Sequence, residues 1–102
     1  MDLKDYQKQI FQNKLDKGFN TTDIYREFCS LQEELTEACI AYQKRSDSVG
    51  EELADVAIYL LSLAEILNVD LESEIIKKVA KNKNRQYKKE ADRWIKVDNT
   101  IN

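Results

Sequence analysis

The stretch Glu52-Leu-Ala-Asp-Val-Ala-Ile-Tyr-Leu-Leu-Ser-Leu-Ala-Glu-Ile-Leu67, residues 52–67, decides the fold. It holds neither Gly nor Pro, and its apolar residues fall at nearly every helical angle. It therefore reads as a helix over about 49–68 that is apolar nearly all round. Such a helix is buried on several sides, and three further short helices hardly cover it. The expected architecture is all-α, a four-helix bundle completed by dimerisation. In the central turns of this helix, Glu52, Asp55, Tyr59 and Ser62 fall within one narrow polar stripe at 100° per residue.

Upstream, Ser46 to Gly50 reads as a connection in which Asp47 or Ser48 is available as a cap. Before it, a second helix runs to about Arg45. Its apolar residues Ile24, Phe28, Leu31, Leu35, Ala38 and Tyr42 follow steps of three and four. A polar stripe of Ser30, Glu34 and Glu37 runs beside them. Glu34 with Glu37, and Glu52 with Asp55, are i,i+3 pairs, so each pair lies on one face. Two such helices packed together gather four carboxylates around one point. Like charges that close repel, and burying them costs several kcal/mol per ion unless a positive charge sits among them. The simplest compensation is a hard divalent cation, which prefers oxygen ligands. The competing reading is that these are solvated surface groups. It is stronger for Glu33 than for Asp55, whose neighbours along the helix are apolar.

The remaining chain frames these two helices. Residues 1–16 read as a short amphipathic helix with Leu3, Tyr6, Ile10 and Phe11 inward. Lys17-Gly18-Phe19-Asn20 ends it, and Thr21, Thr22 or Asp23 caps the next. Asn68-Val69-Asp70 breaks the third helix, and Asp70 caps a fourth over about 71–89. The basic run Lys77 to Lys89 on that helix is either a solvated face or a local phosphate-facing patch. The tail, with Trp94 and Ile95, docks on a partner or frays. The expected division is a domain over 1–90 and a tail over 91–102.

Composition narrows the function classes. At 102 residues the chain is one domain, and 42% hydrophobic with 34% charged residues, no Pro and two Gly point to a soluble, largely helical protein. A net charge of −3 gives no global pull toward a nucleic-acid polymer or an anionic membrane. No histidine is present, which excludes histidine acid–base catalysis and zinc ligation. Cys29 and Cys39 fall on one helix about 15 Å apart along its axis, too far for a bridge, and read as ordinary buried thiols in a reducing cytoplasm. The start, Met-Asp-Leu-Lys-Asp-Tyr, lacks the apolar run of a secretory leader, and the longest apolar run, Val56 to Leu61, is too short to span a bilayer. A cytoplasmic location without membrane contact is expected.

Taken together, the residues resemble a known family. Glu33-Glu34-Leu-Thr-Glu37, followed by Glu52-Leu-Ala-Asp55-Val, is similar to the Glu-Glu-x-x-Glu … Glu-x-x-Asp signature of the MazG-like, all-α nucleoside triphosphate pyrophosphohydrolases. Asp55-Val-Ala-Ile-Tyr59-Leu-Leu resembles the family's apolar helix after the aspartate. Asn68-Val-Asp70-Leu resembles its turn into the last helix. Lys81-Asn82-Lys-Asn-Arg85-Gln-Tyr87 is similar to its basic C-terminal motif. Asn13-Lys14 to Lys17-Gly18-Phe19-Asn20-Thr21-Thr22 resembles an N-terminal segment of some members. The likeness covers about residues 10–90.

The resemblance implies cleavage of a nucleoside triphosphate into a monophosphate and pyrophosphate. By position, Glu34, Glu37, Glu52 and Asp55 correspond to ligands of magnesium, with manganese equally accommodated. Glu33 is then the acid that orients or deprotonates the attacking water. Lys81, Arg85 and Asn82 are candidates for the phosphates or sugar, Tyr59 for the sugar or base, and Lys17 with Phe19 for closing over the nucleotide. A homodimer or a dimer of dimers is implied. Two other readings stay open: a phosphoribosyl-ATP pyrophosphatase or dUTP-specific enzyme of the same superfamily, and a non-catalytic helical interaction module.

Overall fold

The computed structural model describes residues 2–90 and 93–97. Four helices come first: α1 (Leu3–Lys17), α2 (Ile24–Gln43), α3 (Val49–Ile66) and α4 (Leu71–Lys83). A two-stranded antiparallel hairpin follows, β1 (Gln86–Glu90) and β2 (Arg93–Val97). The four helices bear out the all-α expectation. The chain divides into two compact units, residues 1–71 and 72–102.

Local signals place the helix ends. Asp2 caps α1 by accepting from the Asp5 amide at 2.9 Å, and the Asp5 carboxylate accepts from the Asp2 amide in return. Gly18 ends α1 in the left-handed region at φ 70°, and the Phe19 amide reaches back to the Lys14 carbonyl at 2.9 Å. Asp23 caps α2 by accepting from the Arg26 amide at 3.1 Å. Asn20 holds that cap in place through bonds to both the amide and the carbonyl of Asp23. Arg45 and Asn68 adopt the same left-handed turn after α2 and α3. Ser48 stands at the cap of α3 but makes no side-chain capping bond.

Within the first unit α3 is central and packs against both α2 and α1. The buried apolar core is small: Ala38 and Ala41 from α2, and Leu61, Leu63 and Ala64 from α3. Several expected core positions are instead exposed, including Phe28, Leu35 and Tyr42 on α2 and Leu53, Ile58 and Leu60 on α3. Within the first unit, the described residues leave part of the apolar circumference of α3 exposed. On α1, Leu3, Ile10 and Phe11 are half-buried as expected, but the most buried positions of that face are polar. Tyr6 is exposed, whereas Gln7 and Lys14 are buried. Polar groups win those positions because partners on α2 and α3 satisfy them. Cys29 and Cys39 are exposed rather than buried, since they lie on the uncovered side of α2.

In the second unit α4 ends at Lys83, short of the expected residue 89. The next residues form β1, which pairs with β2 in the register Gln86↔Val97 to Glu90↔Arg93. The expected tail therefore contains a strand, and Trp94 on it is exposed. Residues 91, 92 and 98–102 of that tail lie outside the described residues. Among the described residues, no helix is long and apolar enough to cross a membrane.

Candidate functional site

Packing α3 on α2 brings their polar stripes together in antiparallel order. Glu37 influences Glu52, Asp55 influences Glu34, and Ser30 shares a pocket with Tyr59. Carboxylate oxygens of Glu34, Glu37 and Glu52 lie within 4.8 Å of one another. Burial, then the charges of Glu37 and Asp55, a hydrogen bond that the protonated Glu34 donates to Glu37, and the charge of Glu52 push the Glu34 carboxyl above its ordinary range. Burial, then Glu37, Asp55 and Glu51, push Glu52 up in the same direction. Oε2 of Glu52 is buried with no hydrogen-bond partner. Among the described residues, no lysine or arginine forms an ion pair with any of these acids. A buried, unpartnered carboxylate oxygen beside three other acids costs free energy as it stands. Oxygen-only donors at this spacing are the set that a hard divalent cation takes.

Glu33 stands apart from this cluster. It is exposed and borders a shallow depression together with Glu37, Thr36 and Cys29. Tyr59 is half-buried and faces a different space, a pocket of about 500 Å³ next to the acids. There the Lys14 ammonium lies 5.1 Å from the centre of the Tyr59 ring. Lys14 is also ion-paired with Glu27, whose other oxygen accepts from the Asn20 side chain at 3.2 Å. Burial lowers the Lys14 pKa from its ordinary value. Lys17 is exposed and does not line the pocket. Lys14, three residues earlier, occupies the position toward α2 and α3.

Lys81, Asn82 and Arg85 belong to the second unit. Arg85 donates to the Asn82 side chain at 3.0 Å. The charges of Arg85, then burial, then Lys81 and Lys96, hold the Lys78 ammonium below its usual range, so this unit concentrates positive charge. Lys14, Glu27 and Asn20 are site residues that sequence reasoning passed over. One signal pointed to them: Glu27 lies seven residues before Glu34 and so shares its face.

An all-α chain with two acid-bearing helices packed in antiparallel order is the class defined by this fold and site. Residues 26–98 match the sequence model of the MazG-like family, and the chain belongs to that family. Membership puts it in a hydrolase-related superfamily of nucleotide pyrophosphohydrolase type. No curated protein and no solved structure matches the chain.

Proposed function

We propose that the protein hydrolyses a nucleoside triphosphate between its α and β phosphates, clearing non-standard or surplus deoxynucleotides from the cytoplasmic pool. The observation that carries this reading is the convergence of Glu34, Glu37 and Glu52 with an unpartnered buried oxygen, in a chain of this family. Glu34, Glu37, Glu52 and Asp55 would hold magnesium, or manganese in its place. A bound divalent cation neutralises the triphosphate and stabilises the charge that develops at the α phosphorus. The oxygen of a water molecule attacks that phosphorus, the bridging P–O bond to the β phosphate breaks, and pyrophosphate leaves. Glu33, which stands outside the cluster but lines a depression with Glu37, accepts the proton of the attacking water. Lys81, Arg85 and Asn82 serve the phosphate tail, Arg85 being suited to paired contacts with phosphate oxygens.

The active form in this reading is a homodimer or a dimer of dimers. Exposed Leu53 and Leu60 on α3, with Leu35 and Tyr42 on α2, support it. A panel of nucleoside triphosphates incubated with magnesium tests the activity. Pyrophosphate and monophosphate are the expected products, and Asp55→Asn is expected to abolish their release while the helical circular dichroism persists. No pyrophosphate from any triphosphate, at high protein concentration, would remove the proposal.

A further inference from the structure

Half of the residues that line the pocket beside the acids come from a segment that the family match does not reach. Lys14, Phe19 and Asn20 precede residue 26, where that match begins, yet they line the pocket with Glu27 and Tyr59. Its distance from the acids follows from helical spacing. Ser30 lies four residues before Glu34 on α2, and Tyr59 lies four residues after Asp55 on α3. The pocket therefore opens about 6 Å from the acid cluster along both helices. At about 500 Å³ it falls within the range of about 300–1,000 Å³ usual for small-molecule sites.

The chemistry of its walls is specific. Phe19, which follows directly on the helix stop, lines the pocket and is 56% exposed, so much of its ring is open to contact. Both oxygens of Glu27 are engaged, one by Lys14 and one by Asn20. Asn20 is committed as well, since its amide also clasps the α2 cap. Lys14 differs: an ammonium carries three donors, and Glu27 takes one of them. Arg26 also lines the pocket but is itself exposed. Lys14 and Glu27 neutralise each other, so the inner wall offers no net charge to a phosphate. An open aromatic side chain beside a spare buried donor fits a flat, uncharged ring that carries an acceptor atom.

We propose that this pocket takes the nucleobase of the substrate, stacked on Phe19 and hydrogen-bonded to Lys14 through a carbonyl or ring-nitrogen acceptor. Glu27 and Asn20 are positioning residues that hold the lysine and the 18–23 loop. The assignment rests on the nucleotide reading given above, but it requires neither metal nor phosphate. Base preference then lies in α1 and the loop after it, ahead of the residues that the family model matches.

Free nucleosides carrying each base, titrated into isotope-labelled, metal-free protein and followed by amide NMR, test this directly. At least one nucleoside is expected to shift the Phe19 backbone amide and the Asn20 side-chain amide, and ribose alone is not. Phe19→Ala is expected to weaken that binding about tenfold, as the loss of one base–aromatic stack does. The paired replacement Lys14→Met with Glu27→Leu leaves no charge stranded and is expected to level the differences among bases. Equal shifts from ribose, shifts from no nucleoside, or binding undiminished in Phe19→Ala would each overturn the assignment. Nucleoside binding without any pyrophosphate release leaves the pocket standing and removes the hydrolase reading. Hydrolysis with no nucleoside response does the reverse.

Discussion

Lys14 of α1 and Glu27 of α2 form an ion pair in which each residue is more than nine-tenths buried, at 8% and 4% exposure. Through the Tyr59 ring beneath the ammonium and the Asn20 amide on the carboxylate, that one pair links three helices and the 18–23 loop. It also defines a wall of the proposed base pocket.

Removing one member of the pair strands the other. Lys14→Met is expected to cost about 3–5 kcal/mol, because Glu27 is left buried and uncompensated. Adding Glu27→Leu is expected to recover most of that loss. Urea unfolding of the two variants checks it, and equal stability of the single and double variants would contradict the desolvation argument.

Gln7 ties α1 to the end of α3. It donates to the Glu65 carboxylate at 3.0 Å and to the Val69 carbonyl at 2.7 Å, and accepts from the Leu71 amide at 3.4 Å. Gln7→Leu keeps the volume but orphans these partners, at an expected cost of about 1–3 kcal/mol. Hydrogen exchange at the Leu71 amide is expected to quicken in the same variant, and unchanged exchange would show that the bond contributes little.

Acid pH is expected to stabilise the metal-free protein. The Glu34 and Glu52 carboxyls, raised by burial and then by Glu37 and Asp55, hold protons in the folded state that the unfolded chain releases above its ordinary value of about 4.3. Stability therefore falls as pH rises through that window. In chelator, Tm should climb as the pH is lowered from about 7 toward about 5. Glu52→Gln should flatten the climb, and magnesium at neutral pH should replace it. A Tm that drops on acidification to the same extent in both proteins counts against a strained acid cluster.

The uncovered apolar surface predicts self-association. Leu53, Ala57 and Leu60 follow one another at i, i+4 and i+7 along α3, all exposed. Sedimentation is expected to find a dimer or tetramer, and Leu53→Glu to shift it toward monomer. A wild-type chain that sediments as a folded monomer at low micromolar concentration would refute this.

Helix positions were largely legible because their signals are local. The Asp2, Gly18 and Asp23 ends each rest on bonds within five residues, so a short window holds the information. The acid pairs were legible for the same reason, since i,i+3 spacing makes one face of any helix. The hairpin was not. Residues 86–90 are mostly polar and continue a basic run, and their strand form depends on pairing with 93–97. The inward choice of Gln7 and Lys14 over Tyr6 was equally hidden, because burying a polar group is tolerable only where a distant partner meets it.

The order of residues by itself determined four helices, the stops of the first three, and two carboxylate-bearing stripes. Which charges entered the interior was decided by the tertiary structure alone. Lys14 displaced Lys17 as the inward cation because Glu27, thirteen residues away, supplied its counter-charge across two helices. Electrostatic energy of that kind depends on distance in space and on exclusion of water, and neither is written in the spacing along a chain.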